Sequence, residues 1–372
     1  MGQKRHSVMD TARTFKPETI LLWRKVAEHP EAQRILRLFP SAHVCLIEHQ
    51  RSPLLAEMSP SQALSAGKKI LMIGETSSFV GCFDGRLGST VRCCPYYKLV
   101  PLSNGCPYRC TYCYLAFVYR NYAPFIKVNI NYDAMFKQIR KALANTGGKV
   151  SFNMGEMLDS LALDHVTGLT TMLVPFFAGF SRGFLMLLTK SSNIDNLLAV
   201  EPDDQTVASW SLNSRQVIEQ HEIGTADLSE RIDAAKRCRQ HGYRIRIRID
   251  PGILYPGWKV GYADLIQKTL TAIRPENVTL GMLRFLPGHF RPVAGAYGGR
   301  ARRLWDHSFV QGASDGKLRY PPRERVAFYT FLIDAIRSFD KDVSIGLCRE
   351  TPEIWNIFKD RCQGRKCNCV IW

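Results

Sequence analysis

The sequence predicts an α/β fold: a partial (β/α)6 TIM-like barrel over residues 91–350, under an N-terminal accessory layer (1–90) and ahead of a cysteine-rich C-terminal tail (351–372). Three observations carry this. From residue 98 onward, strand-like and helix-like segments alternate, as a parallel sheet with crossover helices requires. One strand, 243–249, has an apolar and a charged face in strict alternation. Three cysteines follow the first predicted strand, at the strand end where parallel α/β barrels carry their chemistry.

Taken in order, Glu18–Glu28 and Pro30–Leu38 have helical periodicity, and Lys69–Ile73 reads as a strand before a glycine-containing connection. No linker separates this layer from the barrel. The barrel strands are expected at 98–102, 149–154, 184–189, 207–212, 243–249 and 278–283, and the helices at 132–144, 192–199, 227–240 and 260–273. In the fifth strand Tyr243, Ile245, Ile247 and Ile249 alternate with Arg244, Arg246, Arg248 and Asp250. Successive strand residues point to opposite faces. If the isoleucines meet the helices, the arginines face the lumen, where they need a charged ligand or buried ion pairs. The alternative is an edge strand with a solvated basic face.

With 45% hydrophobic and 22% charged residues, the chain reads as a soluble globular protein. No apolar run reaches the roughly 18–20 residues of a membrane span, Met172–Phe180 being too short. Twelve cysteines without the apolar core of a signal peptide point to a reducing cytoplasm rather than a disulfide-bonded secreted protein. The formal charge of +17 permits a nucleic-acid partner. It does not demand one, because the basic residues are spread along the chain and no aromatic-interleaved basic stretch forms a strand-binding platform.

The stretch Cys106-Pro-Tyr-Arg-Cys110-Thr-Tyr-Cys113 has the spacing C-x3-C-x2-C. Three thiolates from one tight loop can hold three irons of a 4Fe–4S cluster and leave the fourth open. A zinc knuckle wants a closed set of four ligands, usually two C-x2-C pairs. Buried structural thiols need no such crowding.

With Tyr112 before the last cysteine, this motif resembles the signature of the radical S-adenosylmethionine superfamily, and within it the spore photoproduct lyase family. The blocks Val100–Cys106, Asp159–His165, Leu188–Lys190, Trp210–Ser214, Asp250-Pro251 and Gly257-Trp258 extend the likeness. The resemblance implies a 4Fe–4S cluster on Cys106, Cys110 and Cys113, S-adenosylmethionine on its open iron, and an external one-electron reductant of flavodoxin or ferredoxin type. Gly155-Glu156 is similar to the element that receives the cofactor's amino group, and Lys190 to the partner of its carboxylate. Tyr112, Ser211, Asn213, Ser214 and Arg248 are the further expected cofactor contacts. His165 reads as a capping or packing residue.

The tail adds Cys362, Cys367 and Cys369, while Cys93, Cys94 and Cys348 lie elsewhere. These thiols can bind another cluster or zinc, accept electrons, hold a thiophilic substrate, or be inert. If the tail folds over the barrel mouth, its three cysteines become candidate catalytic residues. The resembling lyase uses a cysteine hydrogen donor, whose place Glu156 takes in an ungapped comparison, and no cysteine lies between Cys113 and Cys238. This favours transfer of the 3-amino-3-carboxypropyl group to thiol-bound arsenic(III), supplied as arsenite, as in arsinothricin formation. The alternatives are repair of a DNA thymine lesion and, outside catalysis, an iron–sulfur electron carrier or redox sensor.

Overall fold

The computed structural model describes residues 15–52, 55, 57–119, 124–305, 307–312, 314–362 and 367–372. Its main sheet has eight strands. From one edge they run Ser344–Leu347, Asn277–Met282, Arg244–Gly252, Thr206–Ser211, Gly183–Thr189, Val150–Asn153, Tyr96–Leu99 and Val80–Phe83. All neighbours pair in parallel except the last two, which are antiparallel. Within this sheet the parallel strands follow one another in chain order. The mixed α/β class is as expected, and five of the six predicted strands fall within a few residues of their expected bounds. The first begins earlier and stops at Leu99, and Leu102–Ser103 pairs in a different sheet.

That second sheet has the order His43–Ile47, Thr19–Trp23, Ile70–Gly74, Ile126–Asn129, Leu102–Ser103. It corrects the helix expected over 18–28. Thr19–Trp23 is a central parallel strand, followed by a single 3-10 turn at Arg24–Val26. Ile20, Leu21 and Leu22 are consecutive and all buried, so the segment is apolar on both faces, as a doubly covered strand requires. Helix Pro30–Leu38 and the strand near residue 70 are where they were expected. Strands from both sides of residue 90 enter both sheets.

The main sheet has one apolar face and one mixed face, on which buried polar groups sit beside Phe184, Met186 and Val207. Ile245, Ile247 and Ile249 enter the hydrophobic core together with the fully buried Trp210. The opposite face carries Ser151, Asn153, Arg246 and Thr279, all buried. Residues 367–372 lie against it. Ile371 N donates to Ser151 Oγ (2.8 Å), Asn368 N to Thr279 Oγ1 (3.0 Å), and Arg246 Nη1 to Val370 O (2.7 Å). The Arg246 guanidinium stacks 3.7 Å from the Trp372 ring centroid. The end of the tail is thus bonded to the inner face of the sheet, which corrects the placement over the mouth. No helix among the described residues is long and apolar enough to cross a membrane.

Beyond residue 283, helix Pro322–Phe339 packs Phe328, Tyr329, Leu332 and Ile333 into the core and delivers the edge strand Ser344–Leu347. The connection after that strand is fixed by charge. Arg325 pairs with Glu350, and Tyr329 OH donates to Glu350 Oε1 (2.6 Å), all buried. Arg349, next to it, adopts φ 54°, a left-handed conformation that costs a non-glycine residue about 1–2 kcal/mol. Removing one partner of a buried pair costs about 3–5 kcal/mol because a charge is left uncompensated. Arg325→Met should therefore lower stability by about that amount, read as a fall in urea midpoint with unchanged slope. A change below the scatter of surface variants would refute the role of this pair.

Candidate active site

An open cleft of about 1070 Å³ lies at the carboxyl ends of the parallel strands, and Cys106, Cys110 and Cys113 form part of its wall. Their loop is built before any ligand is considered. Asn104 takes φ 48°, which asparagine tolerates, and Cys106 N donates to Asn104 O (2.8 Å). Arg109–Cys110 pairs antiparallel with Glu222–Ile223, and Thr111 N donates to His221 O (2.9 Å). Lys68 Nζ donates to Asn104 Oδ1 (3.3 Å) and to Cys106 O. Burial pushes the Cys106 thiol up to about 12. A coordinated metal inverts that preference, since a coordinating thiol is deprotonated outright.

Tyr112 lines the cleft, but its hydroxyl is donated to Glu222, which is paired with Arg231 at 2.6 Å in a fully buried ion pair. Burial opposes ionisation of Glu222, yet Arg231 and Lys190 together hold its carboxyl below the usual range. The aromatic slot of the motif thus anchors the loop to the helix behind it.

Gly155, Glu156, Lys190, Ser211 and Arg248 all line the cleft. Gly155 is needed for close approach: a Cβ there would lie 2.2 Å from Leu188 Cβ. Lys190 Nζ donates to Ser211 Oγ (2.9 Å). Arg248 Nη1 lies 2.5 Å from Glu156 Oε1 and its Nη2 2.7 Å from Asp250 Oδ2. Arg349 holds the other Glu156 oxygen at 2.7 Å, and Arg284 holds Asp250 at 2.8 Å. Burial works to raise the Glu156 pKa, but Arg248 and Arg349 outweigh it and leave it at about 2. Burial likewise opposes ionisation of Asp250, yet Arg284 and Arg248 keep it well below the usual carboxylate range.

Asn213 and Ser214 are engaged elsewhere. Asn213 accepts from Tyr262 OH (2.7 Å) and donates to Pro251 O (2.7 Å), and Ser214 caps helix Arg215–His221. His165 Nδ1 contacts Asn193 Nδ2 at 3.0 Å and does not line the cleft. The tail cysteines do not act as a triplet. Cys362 is in the hydrophobic core after helix Pro352–Phe358, and burial raises its thiol to about 11. Cys367 and Cys369 instead join Cys93, Cys94 and Cys348 around a second cavity.

Several cleft residues had no role in the sequence reading. Asp159 accepts from Leu161 N, Ala162 N and Thr189 Oγ1, and from Lys190 N at 2.8 Å, so it sets the backbone that carries Lys190. Arg284, Lys317 and Arg349 also line the cleft. They come from the region after residue 283, beyond the last of the expected barrel strands. Lys317 sits 5.0 Å from the Tyr114 ring centroid; burial, with Arg284 and Arg349 nearby, pulls its pKa down to about 8.

The family model for spore photoproduct lyase matches residues 15–289. A spore photoproduct lyase of Geobacillus sp. (strain Y412MC61) is 30% identical over 187 residues, 50% of this chain and 54% of that one, so the match spans about half of that relative. The Bacillus subtilis (strain 168) lyase is 25% identical over 268 residues, 71% of this chain and 75% of that one. The solved spore photoproduct lyase complexed with dinucleoside spore photoproduct superposes with a TM-score of 0.78 at 21% identity, covering 90% of this chain and 99% of the other. A mutant of such a lyase with bound AdoMet and dinucleoside spore photoproduct gives 0.76 at 22% identity, over 89% and 98% of the two chains. The family match covers well over half of the sequence: this chain belongs to the spore photoproduct lyase family and so to the radical S-adenosylmethionine superfamily.

Proposed function

We propose that this chain is a radical S-adenosylmethionine lyase whose cleft takes a 4Fe–4S cluster, the cofactor and a thymine lesion of DNA. The observation that carries the reading is the convergence of Cys106, Cys110 and Cys113 with Lys190, Ser211 and Glu156 on one cleft. Three thiols from one loop suit a cluster with an open iron. The unbroken neighbour-to-neighbour order of the parallel strands supports a partial barrel as the scaffold.

When bound, the reduced cluster supplies the electron that cleaves S-adenosylmethionine to a carbon radical. The chain's own residues bind and orient. Lys190, resting on Ser211, offers its ammonium to a carboxylate. Glu156, ionised at neutral pH, has lone pairs beyond those used by its two arginines and can accept from an ammonium. Asp159 fixes the strand end behind Lys190. On the far wall, Arg284, Arg349 and Lys317 leave a surplus of positive charge after Asp250 and Glu156 are counted. A phosphate placed there would favour the protonated form of Lys317. That supports a nucleotide substrate.

The matched relatives are named lyases, which favours lesion repair over the expected transfer to arsenic(III). One departure is local to this chain. Glu156 is a carboxylate clamped by two arginines, and the only cysteines lining the cleft among the described residues are those of the cluster loop. Return of a hydrogen atom to the product therefore draws on a group other than a thiol at position 156.

Anaerobic turnover with a dinucleoside thymine photoproduct tests the reading. Recovery of thymines with 5′-deoxyadenosine chemistry supports it, while methylthioadenosine and no repair would move the assignment to fragment transfer. Alanine at Cys106, Cys110 or Cys113 should remove most reconstitutable iron at the loop and abolish cofactor cleavage; a fully active variant would overturn the cluster assignment. Lys190→Met should weaken cofactor binding by about 1.5–3 kcal/mol, as expected for a lost charged hydrogen bond, with iron content unchanged. Equal affinity by calorimetry would return Lys190 to a structural role.

A further inference from the structure

Behind Glu156 lies a second, small cavity lined by Cys93, Cys94, Cys348, Cys367 and Cys369, and Arg349 belongs to its wall as well as to the wall of the cleft. The thiols come from three distant parts of the chain: the approach to the first parallel strand, the exit of the last, and the tail. Cys94 Sγ and Cys367 Sγ are 3.4 Å apart, and the Cys367 thiol also contacts that of Cys369. Cys348 Sγ lies 3.3 Å from Arg248 Nη2, and Cys369 Sγ lies 3.9 Å from Arg248 Nη1. Thiols that merely fill a core are surrounded by apolar groups, as Cys238 and Cys362 are. Here Cys348 and Cys369 face the Arg248 guanidinium, Cys369 also lies 3.5 Å from Glu156 Oε1, and Cys94 and Cys367 meet each other beside Tyr96 and Phe83.

The charges point the same way. Arg248, Arg284 and Arg349 are answered by two carboxylates, Glu156 and Asp250. Buried charge must be balanced. We propose that Cys94, Cys348, Cys367 and Cys369 form a mononuclear thiolate site for a divalent metal ion of the zinc type. Binding releases four thiol protons as four metal–sulfur bonds form, and the unit carries two negative charges, offset by the one arginine left over and by Lys317 on the cleft wall. Metal–sulfur bonds of about 2.3 Å in a tetrahedron place neighbouring sulfurs about 3.8 Å apart, close to the Cys94–Cys367 separation. The thiols line the cavity without yet converging on one point, as is also true of the cluster loop among the described residues, so closure requires side-chain rotation. The filled site would pin the tail to both ends of the parallel strand series. The inference does not require the reaction assigned above, although it draws on the same positive charge that was offered there to a phosphate.

Cobalt(II) is the probe. The full-length chain, stripped of metal under anaerobic conditions and carrying C106A/C110A/C113A so that the loop takes no iron, should bind one equivalent with the thiolate charge-transfer and intense visible bands of a tetrahedral site. Zinc should displace it. Adding C367S/C369S, or C94S alone should the double variant fail to fold, should weaken this binding at least a hundredfold, while C82S, at an exposed cysteine, should not. With the loop intact, C367S/C369S should keep the iron of the loop cluster. Absence of the tetrahedral spectrum, equal cobalt affinity in the tail and C94S variants, or loss of a second set of irons in C367S/C369S would each overturn the proposal, the last in favour of a second cluster.

Discussion

Arg248 sits 2.5 Å from Glu156 and 2.7 Å from Asp250 with almost no access to water, and the back wall of the cleft is arranged around that pairing. A guanidinium removed from solvent needs carboxylates held in good geometry, and each carboxylate needs its remaining oxygen satisfied. Arg349 and Arg284 supply those further contacts. The result ties strand Arg244–Gly252, which carries Arg248 and Asp250, to the segments that follow the three strands ending at Asn153, Met282 and Leu347. Glu156 is thereby ionised and fixed in place before any ligand enters.

The same network explains how one strand serves two environments. Ile245, Ile247 and Ile249 enter the core, while Arg246 and Arg248 on the other face meet the tail and the carboxylates. Alternation along 243–250 was legible as sequence, and so was the choice it posed, between anionic partners inside the fold and a solvated basic face on an edge strand. Which anions answered was not legible. Glu276 takes Arg244 and Arg246 from the loop before the next strand, and Glu156 reaches Arg248 from 92 positions away. Such pairings depend on tertiary geometry and leave no periodic signal.

The cluster loop and its neighbours were likewise readable because their spacing is local: three thiols in eight residues, and glycine-glutamate just after a strand. Thr19–Trp23 misled for a physical reason. A strand buried on both faces shows a continuous apolar run, which periodicity cannot separate from a short helix. Asn213 and Ser214 show a different ambiguity. Their hydrogen-bonding groups suit a cofactor, but the same groups cap the next helix and brace Tyr262. Arg349, Arg284 and Lys317 were missed because each is a single cation among 50 lysines and arginines, distinguished only by where the chain returns.

The tail shows how far residue type and sequence proximity diverge from spatial grouping. Cys362, Cys367 and Cys369 are adjacent in sequence, yet the first belongs to the apolar core and the others to the thiol cavity. The buried polar groups on the inner face of the sheet account for the difference. Ser151, Asn153, Arg246 and Thr279 are buried and require partners, and the backbone of residues 367–371 provides them at nearly every step. That ladder fixes the direction of the chain, and Cys369 consequently lies 3.5 Å from Glu156 while Cys367 meets Cys94. Placement of the tail thiols beside the cleft is therefore a consequence of satisfying the sheet's own polar groups, and any chemistry at Cys369 is electrostatically coupled to the Glu156 carboxylate 3.5 Å away.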